Sequence, residues 1–112
     1  MITLPWPPTV NTYWRHWQGR VVISAVGKRY RQAVGYLCLA AGVRLSEGRL
    51  SVEIQAFPPD ERKRDIDNIL KAPLDALQGM CYRDDSQIDR LTVIRRNVFP
   101  QGKLEVSIQE IP

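Results

Sequence analysis

Apolar and polar residues alternate without a break from Leu50 to Phe57: Leu50, Val52, Ile54 and Ala56 fall on one side, Ser51, Glu53 and Gln55 on the other. A period of two is that of a half-buried β-strand. Pro58 and Pro59 end it, since prolines remove ladder donors. Leu104, Val106 and Ile108 alternate in the same way with Glu105, Ser107 and Gln109. Strands over Ile88 to Val98 and Lys103 to Glu110, joined by Pro100, Gln101 and Gly102, are therefore predicted to form a hairpin. Ile2 to Trp6 reads as a short strand stopped by Pro7 and Pro8. Asn11 to Trp17 is aromatic and polar; it reads as extended and leads through Gly19 into Val21 to Ile23.

Between these segments the period changes. Val26, Tyr30, Ala33, Val34, Leu37, Cys38 and Ala41 share one face of a helix that Ser24 would cap and that runs to about Leu45. Lys28, Arg29, Arg31 and Gln32 lie mostly on the opposite face. A second, shorter helix is expected over roughly Asn68 to Leu77. Pro73 makes it begin late or with an irregular first turn, and Gly79 stops it. The outcome is an α+β domain spanning residues 1–112: a mostly antiparallel or mixed sheet of about four strands with two helices packed on it. A chain this short leaves apolar surface uncovered, so a homodimer is expected.

Composition adds limits. The 112 residues suit one domain with one modest core, and 44% hydrophobic and 25% charged residues are ordinary for a soluble protein. The longest apolar run, Ala33 to Val43, is too short to span a bilayer, and Met1 to Val10 has no continuous apolar stretch of the kind a signal peptide needs. No membrane association is expected. Cys38 and Cys81 match no metal or redox spacing, which points to a cytoplasmic protein with reduced thiols. The net charge is +4, but its distribution is more telling: no acid precedes Glu47, whereas Arg15, Arg20, Lys28, Arg29, Arg31 and Arg44 all do. A cationic half beside an acidic cluster suits a polyanion held against a metal.

That cluster lies in Arg62-Lys63-Arg64-Asp65-Ile66-Asp67-Asn68-Ile69-Leu70-Lys71. In extended backbone Asp65 and Asp67 point the same way, roughly 6.5–7 Å apart at Cα, and Ile66 turns inward as a core anchor. Two such carboxylates can reach one hard cation. Mg²⁺ keeps several waters, so a third acid from Asp84 or Asp85 would complete its protein ligands. Lys71, four residues after Asp67, would share its helix face and could orient a water or neutralise charge on a phosphate. Arg62, Lys63 and Arg64 would hold flanking phosphates. An Asp-x-Asp pair among cations is also the make-up of a solvated loop, and spacing alone does not separate the two.

The order of motifs goes further. Arg64-Asp65-Ile66-Asp67-Asn68, Lys71, Leu74-Asp75-Ala76-Leu77 and Asp84-Asp85 strongly resemble the RusA family of Holliday junction resolvases. So do Leu4-Pro5-Trp6-Pro7-Pro8, Asn11-Thr12-Tyr13-Trp14-Arg15-His16, Ser24-Ala25-x-Gly27 and Tyr30-Arg31, so the similarity runs almost end to end. The resemblance implies a homodimeric, Mg²⁺-dependent endonuclease, with Mn²⁺ able to take the ion's place, that nicks a four-way DNA junction symmetrically. It implies Asp65, Asp67 and Asp85 as metal-binding catalytic carboxylates, Asp84 as an auxiliary acid, Lys71 as the catalytic lysine, and Arg64 as a residue supporting the site or gripping phosphate. This chain departs from the family pattern in Glu61 within the basic loop, in Pro73 after Lys71, and in a short Leu77 to Asp84 segment that leaves open which neighbouring aspartate faces the metal.

The remaining residues are weighed against plainer roles. Arg15, His16, Lys28 and Arg29 are candidate DNA contacts, although the lone His16 and the aromatics beside it more often pack beneath such a segment. Trp6 reads as core and Ser24 as a cap. Arg95 and Arg96 would extend the DNA surface or blunt an edge strand. Two rival functions fit the chain: a structure-specific DNA-binding module without cleavage, and a flap or phage-DNA-processing nuclease using the same acids.

Overall fold

The computed structural model describes residues 1–112. Strand β1 (Ile2–Pro5) is followed by a one-turn helix α1 (Val10–Tyr13), then by β2 (Trp14–Trp17) and β3 (Arg20–Ile23). The long helix α2 (Ala25–Ala41), β4 (Leu50–Phe57), a short helix α3 (Lys71–Leu77), β5 (Ile88–Arg95) and β6 (Lys103–Glu110) complete the chain, with 3₁₀ turns at Ile66–Ile69 and Asp85–Gln87. The main sheet is mixed and four-stranded, in the order β1-β6-β4-β5, while β2 and β3 form a separate ribbon.

The alternation in β4 is fulfilled: Leu50, Val52, Ile54 and Ala56 are all buried. That row of apolar side chains makes β4 a central strand, and this overturns the predicted hairpin. β5 and β6 do not pair with each other. β4 lies between them, parallel to β5 and antiparallel to β6. The connection after β5 passes around the end of β4, where the Arg96 N–H donates to the Ala56 carbonyl at 2.8 Å and Phe99 to Pro58 at 2.9 Å. The connection from Arg95 to Lys103 is long enough for a strand to be inserted, which a tight hairpin turn would forbid.

Ser24 caps α2 as expected, its Oγ accepting the Gly27 N–H at 3.0 Å. The helix stops short of Leu45 because Gly42 adopts the left-handed conformation (φ 68°), which ends a helix cheaply only at glycine. Its core face is narrower than the apolar stripe. Tyr30, Val34 and Cys38 are buried, but Val26 and Leu37 are exposed. α3 begins at Lys71, so Pro73 lies in its first turn, where its missing N–H costs nothing. Two further helical pieces, α1 and the 3₁₀ turn before α3, arise where extended chain was expected.

One core joins the sheet to α2 and α3; it includes Leu4, Tyr13, Leu77, Tyr82, Leu104 and Val106. Cys38 and Cys81 share it, and burial pushes the Cys81 thiol up to about 12. Both are inert packing groups by that measure. No helix is long and apolar enough to cross a membrane.

Candidate active site

The acidic segment begins in a loop that its own side chains stiffen. The Arg64 guanidinium pairs with Asp60 at 2.8 Å, donates to the carbonyls of Asp60 and Arg62, and lies 5.7 Å from the centre of the Trp6 ring. Asp60 in turn accepts the Arg62 N–H at 2.9 Å, and Arg95 donates to the Arg64 carbonyl at 2.6 Å. Arg64 therefore braces the backbone that leads into Asp65. Trp6, expected in the core, is half-buried and supplies the platform for this arginine. Arg62 and Lys63 are exposed beside it.

Asp65 is extended (φ −82°, ψ 130°), but the chain turns at once into the 3₁₀ turn, so Asp67 is not on a strand with it. The Asn68 N–H donates to the Asp65 carbonyl at 3.1 Å. In this geometry Ile66 does not turn inward as expected of a strand residue but is exposed. The core anchor is Ile69, at 4% exposure. A 3₁₀ turn brings i and i+3 together rather than i and i+2, and it is Ile69 that then faces inward.

Lys71 follows as the first residue of α3. The expected Asp67–Lys71 helix face is broken by the change of helix type at Leu70. Lys71 shares a face with Asp75 instead, and its ammonium lies 5.7 Å from the centre of the Trp14 ring. Asp75 is the most covered of the ion-paired acids. It accepts a hydrogen bond from the Tyr13 hydroxyl and another from Arg31 at 2.7 Å, which clamps α1, α2 and α3 together. Burial alone would raise the Asp75 pKa. The hydrogen bonds from Tyr13 and Arg31 and the charges of Arg31 and Lys71 outweigh it and hold the carboxyl below its ordinary value. Burial and the same carboxylate push the Tyr13 phenol up to about 12. Asp75 lies within the Leu74-Asp75-Ala76-Leu77 motif, which by itself indicates no role for it. No local signal announces partners so distant along the chain.

The neighbouring aspartates of the last acidic pair do different things. Asp84 caps the 3₁₀ turn, its carboxylate accepting the Ser86 N–H at 3.0 Å, which holds its pKa below the usual value. Gln87 completes the capping box and also donates to the Ser46 and Gly48 carbonyls, so the turn is fixed to the chain ahead of β4. The Asp85 N–H donates to the Gln78 side chain at 3.1 Å, next to the end of α3, and its carboxylate is left unengaged.

A division among the seven aspartates follows. Asp60, Asp75, Asp84 and Asp89 all have protein partners for their carboxylates. Asp65, Asp67 and Asp85 alone have none: each is exposed, and its carboxylate accepts no hydrogen bond and forms no ion pair. No three acidic, histidine or cysteine side chains converge in one cation-sized group. The three free aspartates nevertheless fit a hard divalent cation by donor chemistry, because such an ion takes carboxylate oxygens, and Mg²⁺ needs few of them.

Of the three, Asp65 borders two basic clefts of about 450 and 430 Å³ that meet at Lys63, Arg64 and Asp65 itself, whereas Asp67 and Asp85 line neither. Arg95 and Arg96, at the end of edge strand β5, line the larger one, and Arg96 is held by Gln55 at 3.0 Å. β2 carries Arg15, His16 and Trp17 into solvent, and Lys28 and Arg29 are exposed on the first turns of α2. Of the aromatics beside His16, Tyr13 is buried and Trp14 half-buried against it, their rings edge to face at 5.1 Å.

Comparison with known proteins gives a consistent result. A family model described as Endodeoxyribonuclease RusA matches residues 5–109. The chain is 38% identical over 112 residues to the crossover junction endodeoxyribonuclease RusA of Escherichia coli strain K12, covering 98% of this chain and 93% of that protein. A protein of the same description from Enterobacteria phage 82 matches with the same identity and coverage. The one from Enterobacteria phage HK97 is 39% identical over 110 residues, covering 96% of this chain and 92% of its own length.

Proposed function

The chain belongs to the RusA family of endodeoxyribonucleases, and from that premise we propose that it resolves four-way DNA junctions by paired, symmetric, Mg²⁺-dependent nicks. The observation that carries the reading is the division among the aspartates. The three that the protein leaves without partners are the three that the family motifs assign to catalysis. In this reading Asp65, Asp67 and Asp85 hold the ion, and Asp84 serves as the cap that aims Asp85. Bound there, Mg²⁺ or Mn²⁺ would activate a water and polarise the phosphoryl oxygens.

The protein's own groups do the rest. Lys71 is steadied by the Trp14 ring and by Asp75, so its ammonium is available to neutralise charge that builds on the phosphate in the transition state. Arg62 and Lys63 take flanking phosphates, which gives affinity without base selectivity. Arg64 keeps the loop in shape. Symmetric nicking needs two sites, and the exposed apolar edge of α2, including Val26 and Leu37, supports a homodimer. Relatives in two phages support a prophage setting.

A labelled synthetic four-way junction, a flap and a linear duplex, each with Mg²⁺ or EDTA, test the proposal on a gel. Paired symmetric nicks on the junction, present only with Mg²⁺, are expected. Equal cutting of the flap would assign a different substrate, and binding without cutting would leave a DNA-binding module.

A further inference from the structure

β2 and β3 form a ribbon outside the main sheet, closed by Gln18 and Gly19, both with positive φ (48° and 73°). That is a two-residue turn of the kind whose twist matches paired strands, so the ribbon is a stiff element and not a loose loop. Arg15 and Trp17 project from one face of it, and Val22 and Arg20 stand opposite them on β3. Trp17 is 45% exposed, although Tyr13 and Trp14 at the root of the same ribbon are packed.

The ribbon's root is locked to α2. The Ser24 hydroxyl donates to the Thr12 carbonyl at 2.6 Å, and the Ser24 N–H donates to Tyr13 at 2.9 Å. A Cβ on Gly27 would lie 2.7 Å from the Tyr13 carbonyl oxygen and 2.8 Å from the Ile23 side chain, so only glycine admits this approach. Above the contact, ribbon and helix diverge around a cleft of about 240 Å³, lined by Arg15, Trp17, Val22, Ile23 and Lys28. The lining has an indole, two cations and no acid. An aromatic face takes a nucleobase, and two cations take the phosphate next to it.

We propose that this cleft binds an unstacked nucleotide of the DNA substrate, its base against Trp17 and its phosphate between Arg15 and Lys28. A perfect duplex stacks every base on both faces, whereas the base pairs at the branch point of an open junction have lost the stacking neighbour on one face and can give up a base more easily. The ribbon also carries Trp14, which steadies Lys71. Seating a base at one end therefore fixes the strand relative to Lys71 at the other. The inference deepens the junction-resolving reading and rests on it for the identity of the substrate, but the cleft can be tested without cleavage.

The test is fluorescence anisotropy in EDTA with three DNAs: a four-way junction, a duplex with a single-nucleotide bulge, and a perfect duplex. Wild-type protein should prefer the first two. Trp17→Ala should lose roughly tenfold in affinity for both while its duplex affinity stays unchanged, as expected for one lost base stack. Trp17→Phe should restore most of the preference, and Arg15→Ala with Lys28→Ala should weaken binding to all three. Three outcomes would overturn the proposal: an unchanged preference in Trp17→Ala, a wild-type protein indifferent to the bulge, or a change of sedimentation mass in Trp17→Ala, which would make Trp17 a subunit contact. A wild-type protein that prefers the bulge through Trp17 but nicks no junction would leave the cleft standing and reject the resolvase reading.

Discussion

Asp67 and Asp75 stand on either side of Lys71, and the protein treats them in opposite ways. Asp75 is mostly covered, takes hydrogen bonds from Tyr13 and Arg31, and joins three helices. Asp67 is exposed on a 3₁₀ turn with no partner for its carboxylate. A carboxylate satisfied by protein donors stabilises the fold and has little left for a ligand. One left free among cations stabilises nothing by itself and remains open to a cation. The contrast is repeated at adjacent positions, where Asp84 is consumed as a cap and Asp85 is not. Position in a motif does not distinguish such neighbours, but their hydrogen bonds do.

The sharpest way to break the comparison is Asp67→Asn. It should abolish junction cleavage, by roughly a hundredfold to a thousandfold, since an ionic ligand is worth several kcal/mol of transition-state stabilisation. Its unfolding free energy should stay within about 0.5 kcal/mol of wild type, as at other surface positions. A large loss of stability would show that Asp67 does structural work after all. Lys71→Ala comes next, with about a hundredfold slower single-turnover cleavage and unchanged junction binding in EDTA. A wild-type rate would remove the lysine from the chemistry.

Asp75→Asn should show the reverse pattern, costing about 1–3 kcal/mol in urea unfolding because Arg31 loses its charged partner. The pH dependence follows from the depressed pKa of Asp75. Its contribution is fully present above the unfolded value, about pH 4, and is lost as pH falls through the folded value. The stability gap between wild type and Asp75→Asn should therefore narrow on acidification. A gap that is flat or widens would contradict the clamp. The smallest effect is expected at Asp84→Ala, about 1 kcal/mol for a lost cap. It should retain far more cleavage than Asp85→Ala; the opposite ranking would exchange the roles assigned to the pair.

Much of the fold was legible because its causes are local. The period of β4, the Ser24 cap and the late start of α3 at Pro73 each depend on residues within a turn or a strand of one another. The family motifs likewise marked Asp65, Asp67, Lys71 and the Asp84–Asp85 pair as a group. The geometry among them was less legible. Ile66 reads as inward-facing only if the segment is extended, and the turn into α3 reverses it. The width of the α2 core stripe was also overestimated, since the helix face shows which residues are apolar and not how far the sheet reaches to cover them.

The sequence by itself determined the main strands and the two longer helices, where the long helix is capped, and which residue types gather at the basic, acidic loop. Only the tertiary structure decided that β4 divides β5 from β6, that Tyr13 and Arg31 close on Asp75, and that Asp85 rather than Asp84 is left free. The reason is that periodicity and capping reflect free energies set within a few residues. Choosing a neighbour for a strand edge, a helix face or a carboxylate compares partners that only the whole folded chain brings together.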